Sequence, residues 1–141
     1  MGRGWQVLAV LLAGCAPAVA TEEATVLAGT LTVEVGADSA WLTLHVTNPT
    51  ATAVRLEYPT AQRSDFEVRT LAGERLWWWA EDRVFAQALG EERLEAGATV
   101  RHRVSLRLPA PGEYLAVGRL TSTNERLELS TPFQVPAGQR P

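Results

Sequence analysis

Two histidines, one cysteine and a few neighbouring carboxylates are all that this 141-residue chain offers for nucleophilic, metal or acid–base chemistry. His45 and His102 stand in no spacing that a metal site or a nucleophile–base pair requires. His45 alternates outward along a strand-like run, which makes it solvent-facing, while His102 alternates inward and reads as a satisfied core residue. Glu81-Asp82 and Glu91-Glu92 are candidate acid–base pairs. Adjacent side chains in extended backbone point to opposite faces, however, whereas paired catalytic carboxylates must address one gap. Charged turns are the simpler account of both. With no glycine-rich phosphate loop either, the sequence predicts no catalytic residue, no metal site and no cofactor.

Cys15 belongs to a different chemistry. Arg3 and the apolar run over residues 7–13 read as an export leader too short to span a bilayer permanently. The run ends in Leu12-Ala13-Gly14-Cys15, which resembles a bacterial lipobox, where cleavage precedes a cysteine whose thiol carries a diacylglyceryl group. A cut at the Ala-x-Ala site over residues 18–20, discarding Cys15, is the competing reading. The expected organisation is a signal peptide over 1–14, lipidated Cys15 and a tether over 15–25, one domain over 26–136 and a tail over 137–141. The expected location is extracytoplasmic, held to the cell membrane or outer membrane by the lipid.

At 46% hydrophobic and 21% charged residues the remainder has the composition of a folded globular domain, large enough to bury a core without disulfides. All 13 basic residues are Arg, and a net charge of −3 supplies no basic footprint for nucleic acid. The elements that position any site are short alternating segments. Leu31/Val33/Val35, Leu42/Leu44/Val46, Val54/Leu56/Tyr58, Phe66/Val68 and Val100 through Leu108 each place apolar side chains on one face. Gly36-Ala37-Asp38, Asn48-Pro49-Thr50, Ala72-Gly73-Glu74 and Pro109-Ala110-Pro111-Gly112 interrupt them as turns. Residues 114–120 and 127–135 supply the last two segments. The pattern predicts an all-β fold, an immunoglobulin-like antiparallel β-sandwich of about eight strands.

One stretch stands apart from this regular pattern. Leu76-Trp77-Trp78-Trp79 gathers three of the five Trp, and Glu81-Asp82-Arg83 follows directly. Alternation sends Trp77 and Trp79 to one face and Trp78 to the other. Beyond Ala80 the periodicity fits either two helical turns lined by Val84, Phe85, Ala88 and Leu89, or an edge strand over residues 85–89.

Laid out in order, Asn48-Pro49-Thr50, Tyr58-Pro59-Thr60, residues 62–68, Gly73-Glu74-Arg75-Leu76-Trp77, Trp79, Asp82-Arg83, Phe85, Gln87-Ala88-Leu89, Pro111-Gly112-Glu113-Tyr114 and Gly118-Arg119-Leu120-Thr121 resemble the BsuPI-type intracellular proteinase inhibitor family. The resemblance covers roughly residues 31–135. It implies the immunoglobulin-like sandwich and inhibition of subtilisin-type serine proteinases. It also makes Trp77 and Trp79 the core pair and Trp78 the exposed one, since the family carries a polar residue there. His102 replaces an aromatic of the family pattern and Leu106 replaces a Trp.

An inhibitor must hold an exposed segment extended in the proteinase cleft, with affinity drawn from pre-organisation and a few anchors. Residues 80–90 are the first candidate, the contact residues being Trp78, Glu81, Asp82, Arg83, Phe85, Gln87 and Leu89. There Phe85 or Leu89 fills an apolar pocket and Arg83 adds a charge. The competing arrangement plugs one end of the sandwich with Phe85 and Leu89 and pairs Arg83 with Asp65 or Asp82. Gln62, Arg63 and Ser64 form a second candidate loop that exposes Arg63. The expected partner is a subtilisin-like serine proteinase, or another envelope protein bound through Trp78 and its neighbours without inhibition. The protein is expected to be a monomer that contacts the membrane only through its N-terminal lipid.

Overall fold

A computed structural model describes residues 19, 20 and 25–138 of the chain. Cys15, the leader and most of the tether lie outside the described residues. Among the described residues ten strands occur in sequence order: β1 (Val19–Ala20), β2 (Ala28–Val35), β3 (Ser39–Thr47), β4 (Val54–Tyr58), β5 (Ser64–Thr70), β6 (Arg75–Trp78), β7 (Gly90–Leu94), β8 (Thr99–Arg107), β9 (Gly112–Leu120) and β10 (Glu128–Val135). They form a five-stranded sheet ordered β1-β10-β9-β5-β6, a three-stranded sheet ordered β2-β3-β8, and the β4-β7 pair. Every pairing is antiparallel, giving an all-β, sandwich-like fold.

The period-two sequence pattern explains why these segments become strands and which face each one buries. Ala40, Leu42, Leu44 and Val46 of β3 are fully buried and face Phe66 and Val68 of β5 and Ala116 and Leu120 of β9 across the sandwich. Leu31, Leu56, Leu129 and Val135 extend the same core. Gly118 permits the close approach of the two sheets: a Cβ there would lie 2.9 Å from a Leu31 methyl and 3.3 Å from the Phe66 ring.

Turn residues act where the sequence puts them. Asn48, fully buried, ends β3: its Nδ2 donates to the Thr52 and Leu94 carbonyls at 2.8 and 3.0 Å, while its Oδ1 accepts from the Thr50 N–H and hydroxyl. The Ala72-Gly73-Glu74 turn closes the β5–β6 hairpin, with the Thr70 and Glu74 main chains bonded at 2.8 Å.

Three expectations need correction. Residues 80–89 form neither a helix nor an edge strand; they run from two tight turns into irregular chain. Only Leu94 of β7 is buried, so Gly90–Leu94 lacks the apolar alternation that marks a strand; its register against β4 makes it one. Glu91 and Glu92 therefore lie on a strand rather than in a charged turn. His102 is half-buried on β8, but its Nε2 has no hydrogen-bond partner among the described residues, so it is not satisfied.

Candidate functional site

Three connections meet at one end of the sandwich: residues 59–63 from β4 to β5, 79–89 from β6 to β7, and 121–127 from β9 to β10. Main-chain bonds knit them together. Ala61 N–H donates to the Ala86 carbonyl at 2.9 Å, Thr121 N–H to the Arg63 carbonyl at 3.1 Å, and Thr123 N–H to the Glu57 carbonyl at 2.8 Å. Loops tied to one another in this way hold their shape without a partner.

Trp79 is the post on which the long loop turns. Its N–H donates to the Phe66 carbonyl at 3.0 Å, and its ring meets the buried Phe66 ring edge-on, centroids 6.4 Å apart. Two successive turns then carry the chain off β6, with Glu81 N–H on the Trp78 carbonyl and Arg83 N–H on the Ala80 carbonyl, both at 3.2 Å. The chain comes back to the same indole. The Arg83 guanidinium lies 4.5 Å from the Trp79 ring centre while its Nε–H donates to the Trp79 carbonyl at 3.1 Å. Phe85 packs on Trp79 with ring centroids 5.7 Å apart. Phe85 is thus half-buried, and Arg83 binds Trp79 rather than Asp65 or Asp82. Leu89 plugs nothing: it is 89% exposed, and Val84 is 99% exposed. Glu81, Asp82 and Gln87 are also exposed.

Arg63 is turned inward, contrary to the expectation that its loop exposes it. Its guanidinium covers the Tyr58 ring at 4.3 Å, and Nη1 donates to the Thr60 carbonyl at 2.9 Å. Gly90 makes room for it, since a Cβ there would lie 2.4 Å from a guanidinium nitrogen. Ser64 is buried at the start of β5, and Gln62 is held by its own Nε2 on the Ser64 carbonyl and by the Thr121 hydroxyl on its carbonyl.

Trp78 faces the opposite way, onto the outer surface of the five-stranded sheet. It is half-buried rather than open: its Nε1–H donates to Asp65 Oδ2 at 2.6 Å, and Arg75 stacks on its ring at 4.6 Å. Asp65 and Glu67, both buried, anchor an ionic lattice on that face. Arg119 joins Asp65 at 3.4 Å, Glu67 at 2.8 Å and Glu128 at 2.8 Å, and Arg75 joins Glu67 at 3.1 Å. Burial pushes the Glu67 carboxyl up, but hydrogen bonds from Arg119, Arg75 and Arg69 together outweigh it and hold the group below its ordinary value. Each charge there has a partner, so the lattice presents structure rather than reactivity.

Burial pulls the His102 imidazole below its ordinary value, opposed by Glu92 and reinforced by Arg63. The same two charges act on Tyr58, whose hydroxyl burial pushes up to about 12. Both groups stay neutral near pH 7, and no nucleophile stands beside either. Among the described residues no group of three or more His, Cys, Asp or Glu is placed to hold a metal ion.

Val84 was missed by sequence reasoning, which weighed only Phe85 and Leu89 as apolar contacts. Its one sequence signal is weak: a lone β-branched residue between an Arg and a Phe, both of which can bind an indole face.

A family model described as intracellular proteinase inhibitor, BsuPI, matches residues 27–125. No curated protein matches the chain. Among solved structures it is similar to part of a β-glucosidase from Kluyveromyces marxianus, at 16% identity and TM-score 0.44 over 79% of this chain and 14% of that one. It is also similar to part of β-glucosidase 3B from Thermotoga neapolitana, at 16% identity and TM-score 0.45 over 79% and 16%. A β-glucosidase from Erythrobacter marinus gives 14% identity and TM-score 0.41 over 77% and 15%. The chain spans about a seventh of the length of these enzymes, and likenesses this slight carry no argument about activity.

Proposed function

The chain belongs to the BsuPI family of intracellular proteinase inhibitors, and from that premise we propose that it inhibits a subtilisin-type serine proteinase by laying residues 80–89 in the enzyme's cleft. The family points to a proteinase as partner and to a binding rather than catalytic role. The observation that carries the loop assignment is the pair of contacts pinning Arg83 and Phe85 to Trp79, which hold the segment in place while Val84 and Leu89 stay exposed. Pre-organisation of this kind reduces the ordering cost of binding and slows release of the chain ends if the loop is cut.

The competing reading, a non-inhibitory envelope module that binds through Trp78, has less support. The indole N–H of Trp78 is already committed to Asp65 and its ring to Arg75. The inhibitor reading is tested by titrating a subtilisin-type proteinase with the full chain. Loss of activity in proportion to added chain, complete near equimolar, is the expected result; undiminished activity at micromolar chain contradicts it.

We propose further that the protein works outside the cytoplasm, tethered through Cys15 of the lipobox-like segment. Pairing of Val19–Ala20 with β10 supports a cleavage that keeps these residues with the domain, as one before Cys15 does. Replacing Cys15 by Ser is expected to move the protein from the membrane to the soluble fraction. Unchanged partitioning would contradict the anchor.

A further inference from the structure

Val84 is the most exposed large apolar residue in the described chain, at 99%, yet it is not on a free-swinging loop. The residue before it is clamped to Trp79 twice, through the Arg83 Nε–H on the Trp79 carbonyl at 3.1 Å and the guanidinium over the ring at 4.5 Å. The residue after it rests its ring on Trp79 as well, ring centroids 5.7 Å apart. One residue further on, the Ala86 carbonyl accepts the Ala61 N–H at 2.9 Å. With both neighbours held against Trp79, the side chain between them is left pointing to solvent.

We propose, resting on the inhibitor reading above, that Val84 is the primary specificity residue of the loop and that the partner is a serine proteinase whose main pocket is uncharged and sized for a small branched aliphatic side chain. Val is stiff at its one rotatable bond, so seating it costs little side-chain entropy. Its two methyl groups carry no polar atom, so a pocket with a charge at its base gains nothing from it and keeps an unpaired buried charge. Arg83 does not serve a charged pocket in its place, because its guanidinium is occupied by Trp79. Leu89, 89% exposed, lies five residues downstream, beyond the point where Ala86 is bonded to Ala61, and so reaches a separate site outside the primary pocket.

The test compares the full chain with Val84→Ala and Val84→Arg against three purified enzymes: subtilisin, an elastase-type proteinase with a small aliphatic pocket, and a trypsin-type proteinase with an acidic pocket. Because Val84 touches nothing in the fold, all three proteins are expected to unfold at the same temperature. The native chain inhibits subtilisin and the elastase-type enzyme, whose pockets are uncharged, and spares the trypsin-type one. Val84→Ala weakens that inhibition about tenfold. Val84→Arg weakens it a hundredfold or more and confers inhibition of the trypsin-type enzyme. If the native chain inhibits but both variants match it within twofold, or if it prefers the trypsin-type enzyme, the role of Val84 is overturned while the inhibitor reading stands. If the native chain leaves all three enzymes active, both fall together.

Discussion

Glu67 shows how a buried charge is kept in this sandwich. Three guanidinium groups converge on a carboxylate that is 3% exposed, and their hydrogen bonds outweigh the desolvation that would otherwise favour its neutral form. Its folded value lies below the unfolded one of 4.5, so the stability it contributes is complete above that pH and is lost as pH falls through the folded value. Glu67→Gln is predicted to cost about 2 kcal/mol at pH 7, because it removes the carboxylate that pairs with Arg69 and Arg75 and leaves Arg119 only Asp65 and Glu128. Urea unfolding at pH 7 and pH 3 checks it: the variant should lose less stability on acidification than the native chain. His102 has the same sign at a different pH. Its unfolded imidazole takes a proton near pH 6.5 and the buried one only below that, so stability falls as pH drops past 6.5 and is level above it. His102→Phe removes the unpartnered Nε2 and is predicted to add about 1 kcal/mol at pH 7 and to flatten that decline, measured by thermal unfolding between pH 5 and 8. Alternation in the sequence made His102 an inward residue. That its Nε2 finds no partner among the described residues depends on tertiary surroundings, which no local pattern specifies.

At the scale of elements, the strands were legible wherever apolar and polar side chains alternate. Ala40 through Val46 of β3 and Phe66 and Val68 of β5 declare themselves because apolar side chains occupy every second position, even where the polar residues between them, Thr43, Asp65 and Glu67, are buried too. β7 was not legible, since Gly-Glu-Glu-Arg-Leu offers one apolar residue and is a strand only through its ladder with β4. The 80–89 loop failed differently. Val84, Phe85, Ala88 and Leu89 mimic a helical stripe, yet the contacts that fix the segment, Arg83 and Phe85 on Trp79 and Ala86 on Ala61, lie outside any period. The loop as a candidate site was visible as the longest break in alternation. Which of its side chains face out was not, because Trp79 decides that by drawing in its neighbours. Phe85→Ala keeps the fold and releases one clamp. It is predicted to cost about 1 kcal/mol in stability and to accelerate cleavage within residues 82–88 severalfold under limited proteolysis with an unrelated protease. Unaltered cleavage would mean that the ring contact does not order the loop.

For the whole molecule, the division of faces is the organising fact. The outer surface of the five-stranded sheet is closed by the Asp65–Glu67–Arg119–Glu128 lattice, with Trp78 bonded into it. The end of the sandwich carries the joined loops and the exposed apolar residues Val84 and Leu89. The family pattern over residues 27–125 spans both, so membership alone does not say which face meets a proteinase. The sequence reading joined Trp78 to the following loop as one contact surface; the fold separates them, with Trp78 held by Asp65 and Arg75 and the loop turned about Trp79. An inhibitor acting through a clamped loop must survive its encounter with the enzyme. The most direct measurement is the intact mass of the full chain after hours of incubation with equimolar subtilisin-type proteinase, with residual activity read in parallel. The account predicts an enzyme held inactive and a chain recovered at full mass, or cut once within residues 82–88 with both pieces still bound. Progressive digestion of the chain by a fully active enzyme would contradict it.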